Sequence, residues 1–194
     1  GTITEVGSTE NTCSIDWDGA SAGNYAVTEN LGTLMITSSD AEVVLTAPSA
    51  SKTYDGTPLT AEGTGDLKVT ASGLPEGFTA EATASGSQTN AGSSANVVND
   101  GYVIRDANGE DRTANFTKVV KVEGTLTVNP KAVTITTGSD SKPYDGTELT
   151  NAEANIEGLV DGESVIIEAT GTITEVGSTE NTYSIDWDGA SADN

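Results

Sequence analysis

Hydrophobic and polar residues alternate along this chain in short runs, the pattern of strands with one buried face. Val43 and Leu45 fall on the same side of one run, and Val133 and Ile135 repeat that spacing further along. Apolar residues at the same period of two also occur at Leu67, Val69, Ala71, Val165, Ile167, Ala169, Tyr183, Ile185 and Trp187. No window of 11 or more residues carries a helical apolar stripe. The pattern therefore predicts an all-β fold.

Tight-turn dipeptides separate these runs. Asp-Gly and Asn-Gly pairs are typical of hairpin turns, and they stand at residues 55–56, 100–101, 108–109, 145–146 and 188–189. Short strands joined by tight turns predict tandem small β-sandwich modules of the immunoglobulin-like type. Strand count alone does not separate this architecture from β-grasp-like modules.

The chain repeats itself over long distances. Residues 1–22 read GTITEVGSTENTCSIDWDGASA, and residues 171–192 repeat them with one difference, Tyr183 in place of Cys13. Because Cys13 takes the position of Tyr183, it is expected on the inward side of its strand as a small buried hydrophobic residue.

Three further matches set the length of the repeating unit. SKTYDGTPLT at 51–60 matches SKPYDGTELT at 141–150, and SGSQTNAGSSAN at 85–96 matches TGTITEVGSTEN at 170–181. NYAVTENLGTLMIT, starting at Asn24, pairs with NFTKVVKVEGTLTVN, starting at Asn115. These spacings predict modules of about 85 to 90 residues.

The spacings divide the chain into a complete module and two partial ones. Residues 1–41 (the N-terminal segment) correspond to the C-terminal part of a preceding module, residues 42–130 form the complete central module, and residues 131–194 (the C-terminal segment) correspond to the N-terminal part of a following one. The sequence therefore looks like a segment from inside a longer polypeptide. Residues 131–192 of one copy and 23–41 of another together make one module, which predicts head-to-tail self-association.

Charge and composition exclude several functions. Thirty acidic and 8 basic residues give a net charge of −22, which disfavours nucleic-acid and membrane-surface binding. No apolar run approaches the length that inserts into a membrane. The chain has no histidine and one cysteine, and no nucleophile, base and orienting group can be named, so we expect it not to be an enzyme. No lysine or arginine precedes Lys52 or follows Lys142, so the acidic ends need salt or a cation to approach each other.

One loop has the oxygen-rich pattern of a calcium site. Asp106, Asn108, Glu110 and Asp111 alternate in the segment RDANGED, although the bidentate glutamate of an EF-hand does not follow at its spacing. Calcium is therefore a candidate cofactor at these four residues. The alternative is a type I′ hairpin turn at Asn-Gly.

The YDGT boxes at 54–57 and 144–147 admit a catalytic aspartate or a structural turn. No base or nucleophile repeats with them, so we interpret them as turns in which aspartate accepts from local amides, glycine takes a positive φ and the tyrosine ring packs under the loop. The lysines before the boxes, Lys52 and Lys142, repeat together with Asn11, Asn96 and Asn181, a combination that leaves an intramolecular isopeptide bond open. Trp17, Trp187 and Tyr25 are interpreted as core residues rather than as a sugar-stacking platform.

Taken in order, three motifs resemble a known family. The opening K-x-YDGT-x-LT, the middle GS-x-T-x-x-GS-x-x-N and the ending N-[YF]…GTL-x-[VI] are similar to the MBG-type tandem repeats of surface proteins from gut Firmicutes. In the central module the resemblance lies at 52–60, 86–96 and 115–128. In the two terminal segments it lies at 1–11, 24–36, 142–150 and 171–181.

The resemblance implies an extracellular protein of the bacterial cell surface or cell wall. It implies a structural stalk or fibre of an adhesin, with adjacent copies of the same repeat as partners and no catalytic residues. RDANGEDRTANF at 105–116 replaces the shorter WDGASAGNY at 17–25, which residues 187–194 match as WDGASADN. The alternative function is a binding module for a host surface glycan or protein that uses this insert.

Overall fold

The fold is all-β, as the sequence predicts. The structure, a computed structural model, describes residues 1–62, 67–187, 190, 192 and 194. Within these residues it contains 17 strands and two three-residue 3₁₀ turns, at Ala22–Asn24 and Thr113–Asn115, and no α-helix. None of the described helical segments has the length and apolar character needed to cross a bilayer.

The N-terminal segment contains a single two-stranded ladder. Strand β1 (Gly7–Asn11) pairs antiparallel with β2 (Gly32–Ile36), and Asn11 lies opposite Gly32. The long connection between the two strands is largely exposed. After β2, the amide of Ser39 donates to the carbonyl of Asn115, so the end of this segment already contacts the central module.

The central module contains nine strands. They are β3 (Val43–Thr46), β4 (Ala50–Thr53), β5 (Thr70–Ser72), β6 (Thr79–Glu81), β7 (Ala84–Ser85), β8 (Gly92–Val98), β9 (Val103–Arg105), β10 (Val119–Val122) and β11 (Gly124–Asn129). One sheet has the order β10-β3-β5, a second has the order β4-β11-β8-β7, and β6 pairs with β9. The β3–β10 and β4–β11 ladders are parallel. The first two strands of the module therefore pair with its last two strands, one pair in each of these sheets.

The C-terminal segment contains three separate two-stranded ladders. Its strands are β12 (Thr134–Thr137), β13 (Leu149–Thr150), β14 (Ala154–Glu157), β15 (Ile166–Ala169), β16 (Thr172–Ile173) and β17 (Tyr183–Asp186). All pairings are antiparallel: β12 with β14, β13 with β16, and β15 with β17. Each of these ladders corresponds to an antiparallel pairing in the central module.

Every fully buried side chain of the described residues lies in the central module. The core cluster comprises Val43, Leu45, Ala47, Ala84, Val98, Ile104 and Phe116. Phe78 packs edge-on against Phe116, with ring centroids 5.7 Å apart. Complete burial of a valine, leucine or isoleucine side chain contributes about 1.5–3 kcal/mol to the free energy of unfolding. Ile135, at the position equivalent to Leu45, is half-buried and outside this core, so the two repeats do not share one interior.

The expectation that Cys13 and its neighbours face inward is wrong for the N-terminal copy. Cys13 is exposed, Ile15 is 49% exposed, and residues 13–16 form no strand. The repeated residues 183–186 form β17 because β15 lies beside them. The N-terminal segment contains no equivalent of β15, so its alternating pattern has no surface to bury against. Tyr183 is itself 48% exposed, so the strand does not bury it.

Candidate functional site: an open strand position in the C-terminal segment

The carboxylates of the 105–116 insert are engaged by the protein itself. Asp106 Oδ1 accepts hydrogen bonds from the amides of Asn108 at 2.9 Å and Glu110 at 3.0 Å, and its Oδ2 pairs with Arg112 Nε at 2.9 Å. Asp111 Oδ1 accepts from the amide of Thr113 at 2.9 Å and from its hydroxyl. These bonds hold the insert as a hairpin.

The hairpin turn lies one residue earlier than the sequence suggests. The amide of Gly109 donates to the carbonyl of Asp106 at 2.9 Å, which centres the turn on Ala107 and Asn108. Gly109 follows in the left-handed region, with φ +83°. The side chain of Asp106 determines this register, because it accepts a hydrogen bond from the amide of Glu110. In a type I′ turn at Asn-Gly the same amide would donate to the carbonyl of Ala107 instead.

The four predicted calcium ligands do not converge. Across the described part of the chain, no group of three or more acidic or cysteine side chains is placed to hold a metal ion. Calcium at Asp106, Asn108, Glu110 and Asp111 therefore stays a prediction from the sequence, and the hydrogen bonds favour the turn interpretation.

The YDGT boxes are turns built the same way in both copies. Asp55 Oδ1 accepts from the amide of Thr57 at 2.9 Å and from its hydroxyl at 2.7 Å, and Lys52 Nζ lies 2.5 Å away. Gly56 has a φ of +77°. The Lys52 ammonium and then the Thr57 hydroxyl and amide hold the pKa of Asp55 well below its ordinary value. Asp55 is therefore ionised, and its carboxylate is used in hydrogen bonds within the turn, which is the structural role.

The second box repeats this geometry. Asp145 Oδ1 accepts from the amide of Thr147 at 2.9 Å and from its hydroxyl at 2.8 Å, and Lys142 Nζ lies at 3.0 Å. The amide and hydroxyl of Thr147, followed by Lys142, lower the pKa of Asp145 to about 2. The aspartate bonds and the positive φ of the glycine are therefore confirmed for both boxes.

The tyrosines of the two boxes differ, and the difference marks a joint between modules. Tyr54 is buried, and its hydroxyl donates to the carboxylate of Glu163 in the C-terminal segment. A Cβ on Gly56 would lie 3.2 Å from the side chain of Val160, which belongs to the same loop as Glu163. Tyr144 is 63% exposed, so the ring does not pack under its own loop as expected. Contact with a following module is what buries Tyr54.

A buried asparagine connects the strands of the central module. Asn96 is fully buried, and its Nδ2 donates to the carbonyls of Pro48 at 2.9 Å and Ala61 at 2.7 Å. Asn181 makes the equivalent bonds in the C-terminal segment, to Gly138 and Asn151, both at 2.9 Å. These two asparagines thus bind backbone, and Lys52 and Lys142 bind their own YDGT boxes.

The role of these asparagines was missed at the level of sequence. The available signal was that each asparagine ends a GS-x-x-N motif. Its hydrogen-bond partners are backbone carbonyl groups, which every residue has, so the sequence does not reveal which ones it binds. Asn181 Oδ1 also accepts from the amide of Gly171 at 3.0 Å.

One peptide adopts two structures in this chain. GSTEN forms strand β1 at 7–11, where β2 lies beside it, and forms no strand at 177–181. In the central module the corresponding strand β8 pairs with β11 in the same register, since Asn96 lies opposite Gly124 as Asn11 lies opposite Gly32. The described C-terminal segment contains no strand equivalent to β2 or β11.

A groove lies between two stretches of the C-terminal segment that form no ladder. Residues 140–143, equivalent to β4, form no ladder, although β4 itself pairs with β11. Between this stretch and 177–181 lies a cavity of about 170 Å³ lined by residues that include Gly138, Asn151 and Asn181. Two further cavities continue it in either direction, toward Ile135 and toward Tyr144. The groove thus lies between two stretches whose equivalents in the central module are the paired strands β4 and β8.

The aromatic residues of the N-terminal segment are not core residues, which corrects that interpretation. Trp17 stacks on Tyr25 with centroids 5.4 Å apart, and Tyr25 is 61% exposed. Phe116, the equivalent of Tyr25 in the central module, is 9% exposed because β3 and β10 surround it. Trp187 is half-buried.

Comparison with known proteins adds no assignment: no protein-family model, no curated protein and no solved structure matches this chain.

Proposed function

We propose that the chain is a structural repeat of an extracellular stalk or fibre on a bacterial surface, of the MBG type that its motifs resemble. The observation that carries the proposal is the joint at Tyr54. The turn of one module presents Tyr54 and Gly56 side by side, and the next module contacts the tyrosine hydroxyl through Glu163 and lies against the glycine through Val160. A repeated turn that docks each module on the following one is what a linear array requires, because repeats of this kind contact only their neighbours.

The surface area of the chain supports an extended arrangement. Its accessible surface is 12714 Å² for a mass of 19.7 kDa. A compact monomer of that mass exposes about 8,600 Å². The excess is expected when modules keep separate interiors and meet only at joints. The net charge of −22 favours the same arrangement, because like charges resist collapse of one module on another.

Small-angle scattering of the 194-residue chain tests this proposal. A compact chain of this length has a radius of gyration of about 16 Å, and the stalk requires a clearly larger value with an elongated distance distribution. A compact profile would overturn the stalk. Surface location is tested separately, by protease treatment of intact bacteria that carry the protein, where release of the repeat is the expected result.

The modules are proposed to be immunoglobulin-like sandwiches rather than β-grasp-like units. The central module supports this choice, because its described residues place two sheets and the β6–β9 pair around one core and contain no helix longer than three residues. A β-grasp sheet packs its apolar face on a helix. Amide-resolved NMR assignment of the module tests the choice, and a helical stretch of two or more turns would contradict it.

Binding of a host glycan is a second candidate, favoured by the stack of the half-buried Trp17 on the exposed Tyr25. Aromatic faces of this kind suit sugar rings. A glycan array with the chain and with Trp17→Ala separates the two functions: binding that the substitution abolishes supports a glycan module. The equivalent Phe116 packs in the core of the central module, so the same repeat position has a structural role there, which leaves the stalk as the better-supported function.

A further inference from the structure

We infer that a turn at residues 5–6, repeated at 90–91, is the surface by which a module of this chain recognises the module that follows it. The first residue of the turn selects the loop that the turn accepts. Glu5 accepts the insert that carries Arg112, and Asn90 accepts a loop that has no cation. This inference rests on the proposed function, because only a linear array has an order of modules to select.

The linker between modules forms the same backbone bond at both boundaries, the first at residues 41–42 and the second at residues 130–131. The amide of Ser39 donates to the carbonyl of Asn115 at 2.8 Å, and the amide of Lys131 donates to the carbonyl of Asn194 at 2.6 Å. Each donor follows the glycine of a GTL motif by seven residues, and both acceptors hold the same place in the repeat. The two boundaries are therefore one kind of joint.

The chain enters the turn in the same way in the N-terminal segment and in the central module. A Cβ on Gly1 would lie 2.4 Å from the carbonyl oxygen of Glu10, and a Cβ on Gly86 would lie 2.5 Å from that of Ala95, the equivalent residue. The glycine before the turn thus lies against β1 in one case and against β8 in the other. The position of Glu5 follows from the repeat.

Different contacts join the turn to the following module at the two boundaries. At the first boundary, Glu5 Oε2 pairs with Arg112 Nη1 at 2.8 Å. At the second boundary, the amide of Ala91, the residue after Asn90, donates to Oδ1 of Asn194 at 2.8 Å. One contact is ionic and the other is neutral, although the same turn makes both.

Arg112 is held by its own hairpin as well as by Glu5. Its amide donates to the carbonyl of the fully buried Ile104 at 2.7 Å, and its Nε pairs with Asp106 Oδ2 at 2.9 Å. An ion pair between mobile surface side chains contributes little, since ordering both side chains costs entropy. A cation that is already fixed avoids most of that cost. Arg112 therefore presents a preorganised guanidinium to the preceding module.

The charge of the turn matches the loop that it meets. Residues 1–41 contain six acidic side chains and no cation, so a positive insert is a favourable neighbour for them. The loop at 187–194 contains two aspartates and no cation, and the turn that contacts it carries the neutral Asn90. A glutamate at that position would add a like charge, and interfaces reject wrong partners by such repulsion. One residue of the turn thus sets which module can follow.

Distance measurements between two spin labels test the first boundary in the full chain, with Cys13→Ser as background. Met35→Cys in β2 and Val97→Cys in β8 place the labels on exposed strand residues, one on each side of the boundary. One narrow distance is expected, because the linker bond and the ion pair fix the joint. A broad distribution in this parent chain would overturn the inference.

Glu5→Gln should increase the fraction of molecules outside the main distance roughly two- to fivefold, the factor that corresponds to loss of an exposed ion pair. Arg112→Gln should have the same effect, and the double variant should add nothing to either. Glu5→Gln leaves the Asp106 hairpin intact, so it separates the joint from any loosening of the hairpin. Glu10→Gln, in the neighbouring strand β1, is the matched control and should change nothing. At about 1 M salt the parent and Glu5→Gln should coincide, because salt screens the pair.

The selection itself is tested at the second boundary. Labels at Val97→Cys and Ile166→Cys, again exposed strand residues, lie on either side of it. Asn90→Glu should broaden this distance distribution, because the loop that the turn meets offers no cation. Asn90→Gln is the neutral control and should leave the distribution as it is.

The inference is overturned if Glu5→Gln and Arg112→Gln leave the first distribution unchanged, or if Glu10→Gln broadens it equally. An unchanged second distribution in Asn90→Glu also overturns it, because the turn then does not select. Either result together with an elongated scattering profile removes the selection and keeps the stalk. A compact profile removes the stalk itself.

Discussion

Asn96 lies opposite Gly124 in the β8–β11 ladder, and both residues close around the carbonyl group of Pro48. The asparagine donates to that oxygen at 2.9 Å, and the glycine leaves the space that its approach requires. The pair joins the last strand of the module to the turn between its first two strands. The same asparagine–glycine pair recurs as Asn11 and Gly32, where the first strands are absent.

Gly124→Ala is expected to destabilise the protein, and Gly32→Ala is not. A Cβ at residue 124 would meet backbone at 2.2 Å, and overpacking of this kind costs about 1–3 kcal/mol of the free energy of unfolding. A Cβ at residue 32 meets nothing, so its effect should stay within about 0.5 kcal/mol. Urea unfolding of both variants at low protein concentration checks this. Equal losses would contradict the role assigned to the glycine.

Asn96→Ala should cost about 2–4 kcal/mol of unfolding free energy, because it leaves two buried carbonyl groups without donors. Asn181→Ala is the matched variant. It removes the same two bonds in a segment that water reaches, and should cost less than half as much. A larger loss at Asn181 would show that the C-terminal segment is the better-packed part of the chain.

Tyr54→Phe should lower the Tm by roughly 2–4 °C, through loss of the bond to Glu163. Tyr144→Phe should leave it unchanged, because that ring is exposed. Equal shifts in the two variants would show that the joint contributes nothing specific.

The joint should also weaken at high pH. The bond to Glu163, followed by burial, raises the pKa of Tyr54 above its ordinary 10.0. The unfolded chain therefore loses the proton first, and stability present below pH 10 falls as the pH rises above it. Thermal melts between pH 9 and about 11 check the sign, and Tyr54→Phe should flatten the decline.

Asp145 of the second YDGT box should stay ionised to a lower pH than an ordinary aspartate. The pKa of Asp145 is about 2 in the folded chain against an ordinary value of 3.8, so its contribution is complete above pH 3.8 and is lost as the pH falls toward 2. Carbon-detected NMR of the Asp145 carboxyl measures the midpoint directly. A midpoint near 3.8 would contradict the turn geometry.

Calcium should change neither the Tm nor the fold of the 105–116 hairpin, because Arg112 and local amides already occupy the Asp106 carboxylate. Melts in calcium and in a chelator should coincide. A rise in Tm with calcium that Asp106→Asn abolishes would instead establish the cation site that the sequence suggests.

Much of the fold was predictable because it depends on local pattern. The alternation at Val43 and Leu45 predicted a strand with a buried face, and both side chains are fully buried. The repeats predicted that Leu34 and Leu126 hold equivalent places, and the two ladders have the same register. The turn at Asp106 was misplaced by one residue, because a side-chain acceptor outweighed the preference of Asn-Gly.

By itself the sequence determined the class of fold, the repeat and the turns, because alternation, turn residues and self-similarity are properties of short segments. Only the tertiary structure decided which alternating segments become strands and which tyrosine becomes a joint. GSTEN is a strand at 7–11 and none at 177–181, and Tyr54 is buried where Tyr144 is not. The physical reason is that a strand satisfies its backbone through a neighbour, and a side chain is buried only by what lies against it.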